Sequence, residues 1–379
     1  MIYLDNAATT FPKPSCLSDE ITRCIKTYCG NPGRSAHALS IKSSEKIYEA
    51  RELLATMFGA SAENVIFTYN TTYALNLAIK SLYKRGGHIL ISDIEHNSVY
   101  RPVFNLLKQG LCTFDIFSTS GNESEILENI KSKLIPSTSM IVCTHTSNIC
   151  ERTLPISLIG KLCKEKGITF IVDGAQSAGI KQINVQDMNI SALCIPAHKG
   201  LYGPQGLGMI IFGEHKLERT IIEGGTGINS KELEMPDFLP EALEGGTMST
   251  PLIAGLCESL KWLKNTDANH ICAYEEELYK ILVEHLSEIK SLKLYKLNSY
   301  SGNTVIFNLD GMPSNTVGAE LNKRGVCVRS GFHCSPLAHS TAKTGENGAV
   351  RISLGAFNTK NDIYGVCNAI NNISKRVKY

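Results

Sequence analysis

Lys199 follows the short apolar run Ala192–Ile195 and opens the stretch Gly-Leu-Tyr-Gly-Pro-Gln-Gly-Leu-Gly. Glycines let the backbone come close to a bound group. A lysine partly withdrawn from water at a strand end loses its proton more readily, and the free amine then attacks carbonyl carbon to give a Schiff base. A solvated lysine after a strand is the plain alternative, and a single motif does not decide between them. Asp173, about one βα unit earlier, follows Thr169–Val172. A pyridine ring draws electrons only while its nitrogen is protonated, and a neighbouring carboxylate keeps it so. Thr71 and Thr72 follow Val65–Thr68 and open a helix, where backbone N–H groups and hydroxyls suit a phosphate. Read alone, ordinary helix capping explains these threonines equally well. His96 could lie flat on a ring; without the other residues it reads as a satisfied structural histidine.

Such groups need rigid elements to hold them. Between about residues 60 and 213, β-rich apolar runs alternate with helical stretches such as Tyr73–Tyr83 and Ile156–Lys166. The runs are Val65–Thr68, His88–Ser92, Met140–Thr144, Thr169–Val172, Ala192–Ile195 and Gly208–Phe212. Alternation of this kind predicts an α/β unit, a mostly parallel sheet with helices on both faces. Ligands of such sheets bind beyond the carboxyl ends of the strands. There the chain places Asn70-Thr71-Thr72, then Glu95-His96-Asn97, His145–Asn148, Asp173–Gln176 and His198-Lys199-Gly200. Solvated loops explain one or two polar strand ends. They explain poorly one Asp and one Lys at the ends of buried runs. After Pro251 a long helical pattern runs through about Leu252–Leu286. Strands near Thr304–Leu309 and Val326–Arg329 and a helix near Asp362–Lys375 follow, predicting a smaller α+β unit.

The composition narrows the classes. With 379 residues, 43% hydrophobic and 20% charged, the chain can bury a large core. A net charge of +2 without basic blocks argues against nucleic acid or an anionic membrane as partner. Thirteen scattered cysteines, none in a Cys-x-x-Cys pair, fit a reducing cytoplasm better than disulfides or a structural metal. The first residues carry Asp5 and lack the marks of a signal peptide, and no apolar run has the length of a membrane span.

The segments Asp5-Asn-Ala-Ala-Thr-Thr, Glu95-His96-Asn97-Ser98-Val99, Val172–Gln176, His198-Lys199-Gly-Leu-Tyr-Gly-Pro and Arg329-Ser-Gly-Phe-His333-Cys334 resemble the class V aminotransferase family. More narrowly they resemble its cysteine desulfurase and selenocysteine lyase branch, in the family's order, from residue 3 to about 360. The resemblance implies a pyridoxal 5'-phosphate enzyme of fold type I, with a large domain (13–255) around a mostly parallel, seven-stranded sheet. A smaller α+β domain (256–379) would follow, with residues 1–12 packing near the active site. It implies a homodimer with the site at the subunit interface and a protein sulfur acceptor. Lys199 matches the lysine joined to the cofactor, Asp173 the partner of the pyridine nitrogen and His96 the stacking histidine. Asn148 and Gln176 match groups near the phenolic oxygen. Thr71, Thr72 and His198 match phosphate contacts, and Thr247 one that crosses from the second subunit. Arg351, with Arg329, Asn148 and Ala8, would surround the substrate, since a guanidinium offers a carboxylate a bidentate fork. Cys334 would accept sulfur from L-cysteine and leave L-alanine, so Lys199, Cys334 and His96 form the expected catalytic set. Only a thiolate attacks, and His333 and Arg329 are expected to raise that fraction.

Three departures stand out. Pro196 occupies the place of a family Ser or Thr that holds phosphate. Ile149-Cys150-Glu151-Arg152 replaces a small residue followed by Gly-Thr, so Glu151 and Arg152 would pair, reshape the pocket or touch the substrate, with Cys150 an inert core thiol. Met248-Ser249 replaces Pro-Asn after Thr247. Selenocysteine cleavage, transamination or β-elimination on another amino acid, and a non-catalytic role in sulfur transfer are the competing readings.

Overall fold

The computed structural model describes residues 1–33, 35–149, 152–228, 231–295 and 302–375. Strand β1 (Ile2–Tyr3) opens the chain. Seven strands build the main sheet: β2 (Val65–Thr68), β3 (His88–Ser92), β4 (Thr113–Phe117), β5 (Thr138–Thr144), β6 (Thr169–Asp173), β7 (Ala192–Pro196) and β8 (Gly208–Phe212). Their spatial order is β2-β8-β7-β6-β5-β3-β4. Only β8 runs against its neighbours β2 and β7. The mostly parallel sheet expected from the alternating runs is therefore present, with the seven strands that the family resemblance implies.

Strands β2, β3, β7 and β8 are buried along their whole length, which is why they read as continuous apolar runs without alternation. Strand β4 was not legible as such. It sits at the sheet edge, its outer positions reach water, and Thr113 and Asp115 break the apolar pattern. Helices cover both faces, and each face has its own apolar core, one around Phe58, Phe170 and Leu193 and the other around Leu75, Ile91 and Phe212.

A second sheet of four strands, β12-β13-β10-β9, follows in the chain: β9 (Leu292–Leu294), β10 (Thr304–Leu309), β12 (Arg329–Gly331) and β13 (Ala349–Ser353). Between β10 and β12 lies β11 (Val326–Cys327), which pairs in parallel with β1. This sheet has a third core, formed with helices Ala268–Ser287 and Lys360–Ser374. The single helical pattern over Leu252–Leu286 is in fact two helices, Thr250–Thr266 and Ala268–Ser287. Asp267 breaks it with φ of 62°, and its carboxylate accepts the Asn269 N–H to cap the second helix. Position 255/256 falls inside the first of these helices, which packs Leu256, Leu260 and Leu263 into the core of the main sheet.

The first residues cross between the two sheets. Asp5 bridges Ser353 at the end of β13, and Ala7 N donates to Ser353 Oγ at 2.9 Å. A few residues on, Thr10 N donates to the carbonyl of His198 at 3.0 Å.

Candidate active site

The carboxyl ends of β2, β3, β5, β6 and β7 converge on one cavity of about 120 Å³. Helix Thr71–Leu82 points its N-terminus into one end. Asn70 caps that helix by accepting the Tyr73 N–H, leaving Thr71 and Thr72 to face the cavity. Among the described residues the buried Thr71 hydroxyl has no partner, nor do the buried His198 Nδ1 and Arg351 Nε, and Thr72 Oγ1 lies 2.7 Å from Ser98 Oγ. His198 lines the same cavity with a buried, unpartnered Nδ1. Burial, then the charges of Lys199 and Lys13, push that imidazole down to about 4.

Asp173 and Lys199 occupy the floor. Asp173 is 4% exposed and accepts the Ala175 N–H at 2.9 Å. Burial raises its carboxyl, while that bond and the nearby lysine pull it back. Burial brings Lys199 down to about 8, with Asp173 opposing the fall and Arg351 and Arg329 adding to it. His96 caps helix Asn97–Lys108, its Nδ1 accepting the Ser98 N–H at 3.1 Å. Burial and four surrounding cations hold its ring neutral, down at about 4. Gln176 is anchored by donating to the Ala7 carbonyl at 3.0 Å.

Asn148 also lines the cavity, but both ends of its amide serve another loop. Its Nδ2 donates to the His333 carbonyl at 3.1 Å, and its Oδ1 accepts from Ser335 Oγ at 2.8 Å. Between those two residues stands Cys334, exposed, with its sulfur 3.4 Å from Arg329 Nη2. The backbone there is strained: His333 and Cys334 have φ of 51° and 60°, the left-handed region that side chains disfavour. Asn97 N, next to His96, donates to the Cys334 carbonyl at 2.8 Å.

Arg351 on β13 is 1% exposed. Its Nη2 donates to Asp5 Oδ1 at 2.7 Å and its Nη1 to the Asn148 carbonyl at 3.3 Å, while its Nε is buried without a partner. Ala8 follows in the turn that Asp5 opens, its N–H bonded to the Asp5 carbonyl. Neither Asp5 nor Lys13 was singled out from the sequence. Lys13 Nζ donates to Thr10 Oγ1 at 2.6 Å and to the His198 carbonyl at 2.8 Å. Nothing local in the sequence marks Asp5 as the partner of a residue on the last strand.

Two expectations are corrected, those for His333 and Arg152. His333 does not lend Cys334 a positive charge. Its ring turns away into a buried contact with His339, and burial beside Arg351 and Arg329 holds it neutral. Arg152 does not enter the cavity. Its guanidinium donates to the carbonyls of Thr119 and Gly121, tying down a neighbouring loop. Cys150 and Glu151 lie outside the described residues. Pro196 closes β7 and offers no hydroxyl, and it does not line the cavity. Thr247, followed by Met248, lines a separate cavity of about 370 Å³ beside Tyr48, Arg51 and Glu244. Within one chain it does not reach the first cavity's lining.

The arrangement fits a planar ring carrying a phosphate. The buried Thr71 hydroxyl stands at a helix N-terminus, where an anion is favoured, and the buried His198 Nδ1 lines the same cavity; neither has a partner among the described residues. A buried carboxylate and a lysine of lowered basicity lie on the floor of the same cavity.

Comparison with known proteins agrees. The model of the family described as Aminotransferase class-V matches residues 2–366. A probable cysteine desulfurase of Methanothermobacter thermautotrophicus is 29% identical over 372 residues, covering 96% of this chain and 92% of that protein. A probable cysteine desulfurase of Pyrococcus abyssi is also 29% identical, with 96% and 92% covered. The apo structure of a cysteine desulfurase from Thermococcus onnurineus NA1 superimposes with a TM-score of 0.89 at 28% identity, covering 99% of this chain and 95% of that one.

Proposed function

The chain belongs to the class-V aminotransferase family, and from that premise we propose that it is a pyridoxal-phosphate-dependent cysteine desulfurase converting L-cysteine to L-alanine. One observation carries the reading beyond the family. An exposed cysteine, Cys334, stands in a strained turn bonded to Asn148 of the cavity lining and to Asn97, the neighbour of His96.

Pyridoxal phosphate, when bound, supplies an electron sink for charge developing at the substrate's α-carbon. Thr71, Thr72 and His198 would hold its phosphate, Asp173 its ring nitrogen and Lys199 its carbonyl carbon. His96 would cover the ring, with Gln176 and Asn148 on the side of the phenolic oxygen. Arg351 receives the substrate carboxylate on its free donors, with Arg329 and Ala8 at the rim. Lys199 Nζ, which gives up its proton far more readily than an ordinary lysine, takes the α-proton and later returns it to carbon. Cys334 Sγ attacks the substrate sulfur as a thiolate. An S–S bond forms on Cys334, the substrate C–S bond breaks, and its electron pair stays with the three-carbon product, which is protonated to alanine. The Arg329 guanidinium stands beside that Sγ, with Nη2 3.4 Å away.

The exposed persulfide would then pass to an acceptor, a protein of the kind that assembles iron–sulfur centres. The further features of this reading are a homodimer with Thr247 contributed across the interface, a cytoplasmic location, and a division into 13–255 and 256–379 with residues 1–12 beside the site. Among the described residues no helix is long and apolar enough to cross a membrane.

The test is alanine released from L-cysteine under a thiol reductant, for the cofactor-loaded protein and its Cys334→Ala variant. Alanine from the first alone supports the reading. Equal release from both removes Cys334 from the reaction, and release from neither redirects the search to another amino acid.

A further inference from the structure

Two buried imidazoles lie behind Cys334. His333 and His339 are each 2% exposed, with rings nearly parallel at 10° and centroids 5.2 Å apart. His333 Nδ1 is 3.0 Å from His339 Nε2, His339 Nδ1 is 2.7 Å from Thr344 Oγ1, and His333 Nε2 is 3.3 Å from the Arg329 carbonyl. A carbonyl only accepts, so the proton of His333 sits on Nε2. In the neutral ring Nδ1 must then accept, and the His339 Nε2–H is the donor that faces it. A proton added to His333 Nδ1 would set two N–H groups against each other. The direction of the chain is thus fixed from His339 through His333 to the backbone of Arg329.

That backbone carries the guanidinium that touches the Cys334 sulfur, and His333 is itself the first of the two left-handed residues. We infer that His339 is a positioning residue for sulfur transfer: by donating to His333 it fixes the imidazole that ties the Cys334 turn to the Arg329 carbonyl. Without that donor, His333 is left with a buried acceptor unpaired, or takes the other tautomer and turns a lone pair on the Arg329 carbonyl. Either outcome loosens the contact between guanidinium and thiol. The Phe332 ring, edge-on to His339 at 5.4 Å, covers the outer side. The inference deepens the proposed role of Cys334 and rests on it.

The experiment compares wild type, His339→Phe and His339→Gln, all loaded with cofactor. Phe keeps a ring without the donor, and Gln keeps a donor without the ring. The first readout is the rate at which iodoacetamide alkylates Cys334 at one fixed pH, followed on its own peptide by mass spectrometry. The second is alanine release from L-cysteine. Expected is a fall in both rates of roughly fivefold or more in His339→Phe, the scale of one buried hydrogen bond, with substantial recovery in His339→Gln. The visible spectrum of the bound cofactor stays unchanged in both variants. Unaltered alkylation in His339→Phe overturns the inference. So does equal impairment of both variants, which would make His339 a matter of ring packing alone. Alkylation is read without turnover, so a protein that fails to release alanine from cysteine still answers the question about His339.

Discussion

Arg351 and Asp5 meet at 2.7 Å, joining the last strand of the four-stranded sheet to the first loop of the chain. The guanidinium proposed to bind the substrate carboxylate already holds a carboxylate of its own. Replacing Asp5 by Asn strips a buried cation of its counter-ion. About a fifth of the Asp5 side chain meets water, so the cost should fall near the low end for a buried pair, ~3 kcal/mol. Thermal unfolding should show it. Added L-alanine should then stabilise Asp5→Asn more than the wild type, because its carboxylate restores the missing partner. A smaller shift in the variant would contradict the pairing of Arg351 with substrate.

Lys199 gives a pH dependence with a definite sign. Its charged form, which is unreactive, prevails below about 8, and the free amine prevails above it. Attachment of pyridoxal phosphate to the apo protein, followed by the growth of its visible band, should quicken about tenfold per pH unit below that point and level off above it. An ordinary lysine would go on quickening well beyond. Asp173 opposes the lowering, so Asp173→Asn should move the midpoint to lower pH. A midpoint that stays or rises would remove Asp173 from the electrostatics of Lys199.

Thr71 should show opposite effects in the two states of the protein. Its buried hydroxyl has no partner among the described residues, and such a group costs free energy. Thr71→Val should therefore stabilise the apo protein by about 1 kcal/mol in thermal unfolding. The same change should weaken cofactor binding roughly tenfold, through one lost bond to a charged group. Loss of stability in the apo variant would mean that the hydroxyl is already satisfied.

The alternation of apolar runs made most of the main sheet legible because those strands are buried on both faces. The edge strand β4, half in water, lacked that signal. Lys199, Asp173, His96 and the two threonines could be found because each stands where a recognisable run stops. The Asp5–Arg351 pair and the His333–His339 contact could not. The first spans nearly the whole chain, and the second depends on how a turn of left-handed residues folds back on the helix that follows. Arg152 shows the converse: a charge beside a site motif draws attention, yet its direction is set by the backbone carbonyls within reach.

Arg152→Ala tests that last point. Freed from Arg152, the carbonyls of Thr119 and Gly121 lose a charged donor, and stability should fall by about 1–2 kcal/mol in denaturant unfolding. The KM for cysteine should stay within about twofold, since a group that only braces structure is not part of substrate binding. A large rise in KM without loss of stability would return Arg152 to the substrate pocket.

The carbonyl of His198 accepts from Thr10 N, Thr9 Oγ1 and Lys13 Nζ, while Leu4 and Asp5, earlier in the same segment, are bonded to Ser353 at the end of β13. The stretch Leu4–Lys13 is therefore a drive belt running from the four-stranded sheet to the peptide plane that carries Lys199. Arg351, the residue proposed to receive the substrate carboxylate, rides on that same sheet. One continuous run of chain thus spans the distance between the proposed carboxylate site and the reactive amine, and slack introduced at Thr10 or Lys13 should be felt at both ends.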